Sequence, residues 1–239
     1  MKVAIVVPIY KTVPDEEELY TLHRIQQKYP CTAKYYVAPE GLDMANYPGD
    51  QFAVKSFPKH YFKSERSYTR LLLNKEFYRC FEAYDYMLLI QTDVWLVKGE
   101  EALEPFLQCG YDYIGAPWLE GNKIYPYTFR GIGKLPDRIT HPKICFVGNG
   151  GFSLRKINSF IRLLEKYQWR ARLWRRAGED TFFSYYGTEM QDFRMPDCDE
   201  ASKFALEKKA REQWESGVRP MGIHAWKKYY PEIVEDDKR

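Results

Sequence analysis

The sequence has few of the residues that staple small secreted folds. It has five cysteines, Cys31, Cys80, Cys109, Cys145 and Cys198. The number is odd and no pair has CxxC spacing, so neither a disulfide framework nor a zinc knuckle is indicated, and a reducing compartment fits best. No run is long and apolar enough to span a bilayer. The start, Met1 to Pro8, has a short apolar run but lacks the length and cleavage site of a signal peptide, and Pro8 closes it early. A cytoplasmic location is therefore expected. An excess of charge of one sign is also lacking. The formal net charge is +3, which argues against a strongly electrostatic nucleic-acid binder. There is no internal repeat, no Walker lysine and no GxGxxG spacing. Only four histidines occur, so each one placed among apolar residues matters.

What is present suits one α/β domain. The 239 residues are 45% hydrophobic and 29% charged, enough for a substantial core. Aromatics reach 17%, which suits stacking on sugars or bases as well as an ordinary core. Strands are expected at 3–7, 34–38, 51–57, 86–90 and 111–118. Helices are expected at 15–29, 67–81, 100–108, 156–167, 181–186 and 199–214, with a late strand or turn at 221–226. The alternation implies a mostly parallel sheet with helices on both faces. No composition shift marks a second domain. Residues 119–142, rich in Gly, Pro and polar side chains, read as a loop or flap over the site. It divides the chain into a first half, 1–118, and a second half, 143–239.

The chain turns on Tyr86-Met87-Leu88-Leu89-Ile90-Gln91-Thr92-Asp93. A buried strand stops being apolar at Gln91 and presents Asp93 where α/β sheets bind ligands. Asp93 is either a ligand for a hard divalent cation, Mg2+ or Mn2+, or a turn residue. Gln91 projects to the same side and would meet a ribose or a water. Pro8 and Tyr10 leave the first strand at its carboxyl end, a place for a base or ribose. His224, between Ile223 and Trp226, either shares an ion with Asp93 or is a satisfied core histidine. Glu179 and Asp180 follow Gly178 at a helix start. They are a general base and its neighbour, or helix-capping acids. In Gly148-Asn149-Gly150-Gly151 the backbone can approach a ligand closely. Trp118 is a stacking wall or a packing residue, and Arg70 is grouped with the candidate ligand-binding residues. The basic stretch from Arg162 to Arg176, interleaved with Trp169 and Trp174, is a solvated face, a surface for anionic lipid head groups or a site for a lipid-linked phosphate.

Five strings in order, Gln91-Thr92-Asp93, Tyr111-Asp112-Tyr113-Ile114-Gly115-Ala116-Pro117-Trp118, Val147-Gly148-Asn149-Gly150-Gly151-Phe152-Ser153-Leu154-Arg155, Glu179-Asp180 and Gly222-Ile223-His224-Ala225-Trp226, resemble a family of glycosyltransferases of the GT-A fold found with capsule and other surface-polysaccharide genes. The resemblance implies an enzyme with a Rossmann-like sheet that binds a nucleotide sugar, UDP-linked, in the half 1–118 and transfers a hexosyl group to a saccharide or lipid-linked acceptor bound by the half 143–239. It implies Mn2+ or Mg2+ held by Asp93 and His224, with Asp180 as the base of an inverting displacement and Glu179 on an acceptor hydroxyl. Gln91 stands where the family's acidic motif has its first Asp, a departure at the ribose contact. A retaining transferase, a sugar nucleotidyltransferase and a non-catalytic sugar-binding or scaffold protein are the competing readings. The absence of a Gly-rich basic loop after the first strand counts against the nucleotidyltransferase.

Overall fold

The computed structural model describes residues 1–126, 136–174 and 178–238. In chain order the first half contains β1 (Val3–Pro8), α1 (Glu16–Lys28), β2 (Ala33–Pro39), β3 (Phe52–Phe57), α2 (Glu65–Leu72), α3 (Lys75–Arg79), β4 (Tyr86–Ile90), β5 (Val94–Leu96), α4 (Glu104–Cys109), β6 (Tyr113–Gly115) and β7 (Pro117–Ile124). The second half contains α5 (Asp137–Thr140), β8 (Lys143–Val147), β9 (Phe152–Lys156), α6 (Ile157–Lys166), α7 (Gln168–Leu173), α8 (Glu179–Gly187), α9 (Cys198–Phe204), β10 (Ala205–Leu206), α10 (Ala210–Glu215), β11 (Gly222–His224), α11 (Trp226–Tyr229) and α12 (Ile233–Asp236).

A six-stranded sheet in the order β3-β2-β1-β4-β9-β6 forms the centre. All its strands run parallel except β9, which is antiparallel to both β4 and β6. The central strands are buried on both faces, so their side chains divide alternately between two layers. Ala4, Val6, Met87 and Leu89 pack with Leu71, Phe77, Phe160 and Phe183 from α2, α3, α6 and α8. Ile5, Val7, Leu88 and Ile90 pack with Leu22, Ile25, Phe106 and Phe204 on the opposite face. β9 draws the second half of the chain into the middle of this sheet. A smaller sheet, β10-β11-β5, builds its own cluster around Trp95, Leu206, Trp214 and Ile223. β7 and β8 pair antiparallel as a separate two-stranded ribbon. No helix of the described residues is long and apolar enough to cross a membrane.

Local chemistry fixes the helix starts. Asp15 and Glu18 form a reciprocal capping box on α1, with three acids in its first turn. Ser64 caps α2 in the same way.

Three expectations are corrected. The single helix over 67–81 is two helices, because Asn74 breaks the run and caps α3 through its side chain to the N–H of Glu76. Within 119–142, the part up to Ile124 is the strand β7 rather than loop; residues 127–135 lie outside the described residues. The single helix over 199–214 is helix, strand, helix. Ala205 and Leu206 pair in parallel with Gly222 and Ile223, and the N–H of Met221 donates to the carbonyl of Phe204 at 2.9 Å. Here tertiary pairing of two fully buried residues overrides a helical spacing.

Candidate functional site

The site is built where two sheets meet. Beyond Ile90, the N–H of Gln91 donates to the carbonyl of Gly151 at 2.8 Å, which extends the β4–β9 pairing by one step. The chain then turns through Thr92 and Asp93 into β5. Because β5 pairs antiparallel with β11, His224 lies opposite Val94, next to Asp93. Its Nε2 is 3.1 Å from Oε1 of Gln91 and 3.4 Å from Oδ1 of Asp93. On the other side of the ring, Nδ1 lies 3.5 Å from Oε1 of Glu207. Burial opposes the charged imidazolium, but the Asp93 and Glu207 carboxylates beside the ring outweigh it and push His224 up to about 9. Burial also opposes ionisation of Asp93, and the imidazole still holds it below the usual carboxylate range.

The Asn149-Gly150-Gly151 turn wedges between this cluster and the start of α8. A Cβ on Gly151 would lie 2.1 Å from Nε2 of His224. A Cβ on Gly150 would lie 2.6 Å from Oε1 of Glu179 and 3.4 Å from Cβ of Asp180. Adjacent glycines therefore let the imidazole close in on one side and the two carboxylates on the other.

The two acids are set apart by their partners. Glu179 is buried, and its Oε1 accepts from Nη2 of Arg155 at 2.7 Å. Arg155 is fully buried and also bonds Tyr78, Ser153 and the carbonyl of Gly150. Glu179 thus ties the glycine turn to α8, rather than standing free for an acceptor hydroxyl. Asp180 keeps partial exposure and accepts from the N–H of Thr181 at 2.7 Å. Burial of its carboxyl, and then the charge of Glu179, push Asp180 up to about 7, the range a base needs near neutral pH.

A cleft of about 580 Å³ opens at the carboxyl ends of β1 and β4, lined by Pro8, Tyr10, Tyr68, Gln91, Thr92 and Asp93 among others. Four residues expected from the sequence, Pro8, Tyr10, Gln91 and Asp93, therefore share one cleft. His224 meets the cleft at Gln91 and Asp93, Gly151 packs against its ring, and Asp180 lies beside Gly150, outside the lining of the cleft. Two expected residues fall elsewhere. Arg70 lines a separate hollow of about 420 Å³ and donates to the carbonyl of Arg172 at 2.6 Å. Trp118 lines a third, of about 190 Å³, with Lys208 and Lys209. In the basic stretch, Trp169 is 66% exposed and carries Arg172 over its ring, Trp174 is buried, and Arg175 and Arg176 lie outside the described residues.

Sequence reasoning missed Glu207 and Tyr68. Glu207 falls inside the single helix expected over 199–214, and Tyr68 inside the one expected over 67–81. The Tyr68 hydroxyl, on a residue that lines the cleft, is buried and has no hydrogen-bond partner among the described residues.

The donors at His224 suit a hard divalent ion in part. An imidazole nitrogen, a carboxylate and an amide oxygen converge. Among the described residues no group of three or more His, Cys, Asp or Glu could hold a metal by itself. Such a partial shell fits an ion that a substrate diphosphate completes, as Mg2+ and Mn2+ sites commonly do.

The fold is similar to that of mouse xyloside xylosyltransferase 1 in its apo form, with 11% identity over 94% of this chain and 97% of that one, and a TM-score of 0.52. It is similar to that of an active-site mutant of LgtC, with 16% identity over 92% of this chain and 86% of that one, and a TM-score of 0.54. At these identities the likeness shows the fold, which is the GT-A-type glycosyltransferase fold expected from the sequence. No curated protein matches the chain. Residues 51–224 match the family model described as "Protein of unknown function (DUF5672)", and the chain belongs to that family.

Proposed function

We propose that this protein is a metal-dependent, inverting glycosyltransferase. It moves a hexosyl group from a UDP-linked donor to a hydroxyl of a saccharide or lipid-linked acceptor in surface-polysaccharide synthesis. One observation carries the reading. Asp93, His224 and Gln91 converge at the cleft mouth, and Asp180, whose carboxyl titrates near neutrality, lies across two glycines from them. Both structural neighbours share the fold, and one is a xylosyltransferase by name.

Pro8 and Tyr10 receive the nucleoside, with the exposed Tyr10 ring free to stack on a base. Asp93 and His224 would hold Mn2+ or Mg2+, which when bound neutralises charge on the departing diphosphate. Gln91, neutral and bonded toward His224, lines the cleft without adding a second negative charge beside the diphosphate. Asp180 accepts the proton of the acceptor hydroxyl as that oxygen attacks the anomeric carbon. Glu179 and Arg155 hold Asp180 in place by anchoring the start of α8 to the glycine turn. Trp169 and Leu173, exposed on α7 among arginines, provide a peripheral contact with a membrane carrying a lipid-linked acceptor.

The test is a panel of nucleotide sugars with Mn2+ or Mg2+, scored first by thermal stabilisation and then by turnover. Asp93→Ala should lose metal-dependent turnover. Unchanged turnover in that variant would overturn the metal assignment, and a panel without any stabilising nucleotide would overturn the donor assignment.

A further inference from the structure

We propose that Glu207 is a positioning residue that fixes which nitrogen of His224 faces the cleft. The proposal rests on the nucleotide-sugar reading above and adds a residue that no sequence motif marks. Glu207 follows β10, and the pairing of β10 with β11 carries it to the far side of the His224 ring. Its two carboxylate oxygens serve different partners. Oε2 accepts from Nδ2 of Asn149 at 2.6 Å, and Oε1 lies 3.5 Å from Nδ1 of His224.

The orientation of this chain of groups is set from its outer end. Oδ1 of Asn149 accepts from the backbone N–H of Gly151 at 3.1 Å. A backbone N–H can only donate, so the Asn149 amide must turn its Nδ2 toward Glu207. Glu207 then presents its other oxygen, an acceptor only, to Nδ1 of His224. A proton on that nitrogen is favoured, so it is the proton on Nε2, held toward Gln91 and Asp93, that an incoming ion would displace. An imidazole that ligates a metal needs this arrangement, with one nitrogen donating to a carboxylate and the other directed at the ion. Gly151 serves both ends of the relay. Its N–H orients Asn149, and its missing side chain leaves room for the ring.

The substitution Glu207→Gln separates position from chemistry. The glutamine has nearly the same shape, but Asn149 still offers a donor. The new side chain must therefore give its oxygen to Asn149 and its NH2 to Nδ1 of His224. Nδ1 becomes the acceptor and the proton moves to Nε2, where it blocks metal ligation.

The experiment measures Mn2+ affinity by calorimetry with UDP present, in the wild type and in E207Q. E207Q should bind Mn2+ about 10–100-fold more weakly. UDP binding without metal and the melting temperature should stay near wild type. The ring 15N shifts of His224 in the Mg2+–UDP complex should report a proton on Nδ1 in the wild type, and E207Q should show it on Nε2. Asn149→Ala, which frees Glu207 to rotate, should lower Mn2+ affinity in the same direction by a smaller factor, and it provides the reading if E207Q does not fold. Glu207→Asp, which keeps a carboxylate, should recover part of the affinity. A wild type that binds Mn2+ with UDP while E207Q and Asn149→Ala bind equally well overturns the role of Glu207 alone. A wild type that takes up no divalent ion with UDP overturns the nucleotide-sugar reading, and this proposal with it.

Discussion

Replacing Gly151 by alanine should remove the metal–nucleotide site while leaving the fold in place. Gly151 is not among the glycines with positive φ, so alanine meets no backbone strain there. The obstacle is steric. The new methyl would lie 2.1, 2.4 and 2.5 Å from three atoms of the His224 ring. Ordinary contact begins at 3.4 Å, so the ring must retreat by about 1.3 Å. Overpacking of this kind costs about 1–3 kcal/mol. A misplacement of about 1 Å at a reacting centre can cost ~10²-fold. With Mn2+ and UDP at about 100 times the wild-type Kd, the wild type should gain ~2.7 kcal/mol by mass action. A variant bound 100-fold more weakly would then sit at its own Kd and gain only ~0.4 kcal/mol. At ~2–4 °C per kcal/mol, a ligand shift of about 5–11 °C should shrink to about 1–2 °C. Gly49→Ala is the control, since nothing lies within 4 Å of its added methyl. A folded G151A variant that keeps the full wild-type shift would refute the claim that His224 must stand against the glycine turn to bind.

Other perturbations should have distinct signatures. Asp180→Asn should leave donor binding intact and lower transfer by about 10²–10⁴-fold, and wild-type kcat should rise with pH through the Asp180 titration near about 7. The stability effect has the opposite sign. The folded carboxyl titrates near about 7 against an ordinary value of 3.8, so between these pH values the folded protein keeps a proton that the unfolded chain has lost. Stability contributed by this group is full below about 4 and is lost as pH rises through 7, so Asp180→Asn should melt above the wild type at pH 8 and level with it near pH 4. Equal melting curves at pH 8 would show that Asp180 carries no buried charge. Arg155→Met leaves Glu179 buried without its cation and should cost about 3–5 kcal/mol, or ~6–20 °C in melting temperature. Adding Glu179→Leu should recover part of that loss, and a double variant no more stable than R155M would refute the pairing as the cause.

The share of the site legible in the sequence follows from the range of each interaction. Asp93 stands out because an acid that ends a buried strand is visible in four residues of apolar context. The glycine turn stands out because its composition allows little else. Asn74 also signals locally, as a cap inside a helical pattern, yet the apolar spacing around it continues through both helices and reads as one. Glu207 gives no local signal. Its surroundings, Phe204 to Trp214, keep a helical spacing, and only pairing with Gly222 and Ile223 turns Ala205 and Leu206 into a strand. Arg155 looks like the polar end of a strand until burial beside Glu179 shows it as the cation under the turn.

The sequence by itself determined the layered sheet, the position of Asp93 at a carboxyl edge and the existence of a glycine turn. These depend on apolar alternation and on backbone preferences that act within a few residues. Only the tertiary structure decided which side chains share the site. It set His224 against Asp93 through the β5–β11 pair, turned Glu179 inward to Arg155 and left Asp180 partly exposed beside Gly150. It also moved Arg70 and Trp118 to other hollows and brought Glu207 in behind the imidazole. Each of these outcomes depends on strand pairing between segments far apart in the chain, and on how much charge a buried position tolerates once its partners are fixed.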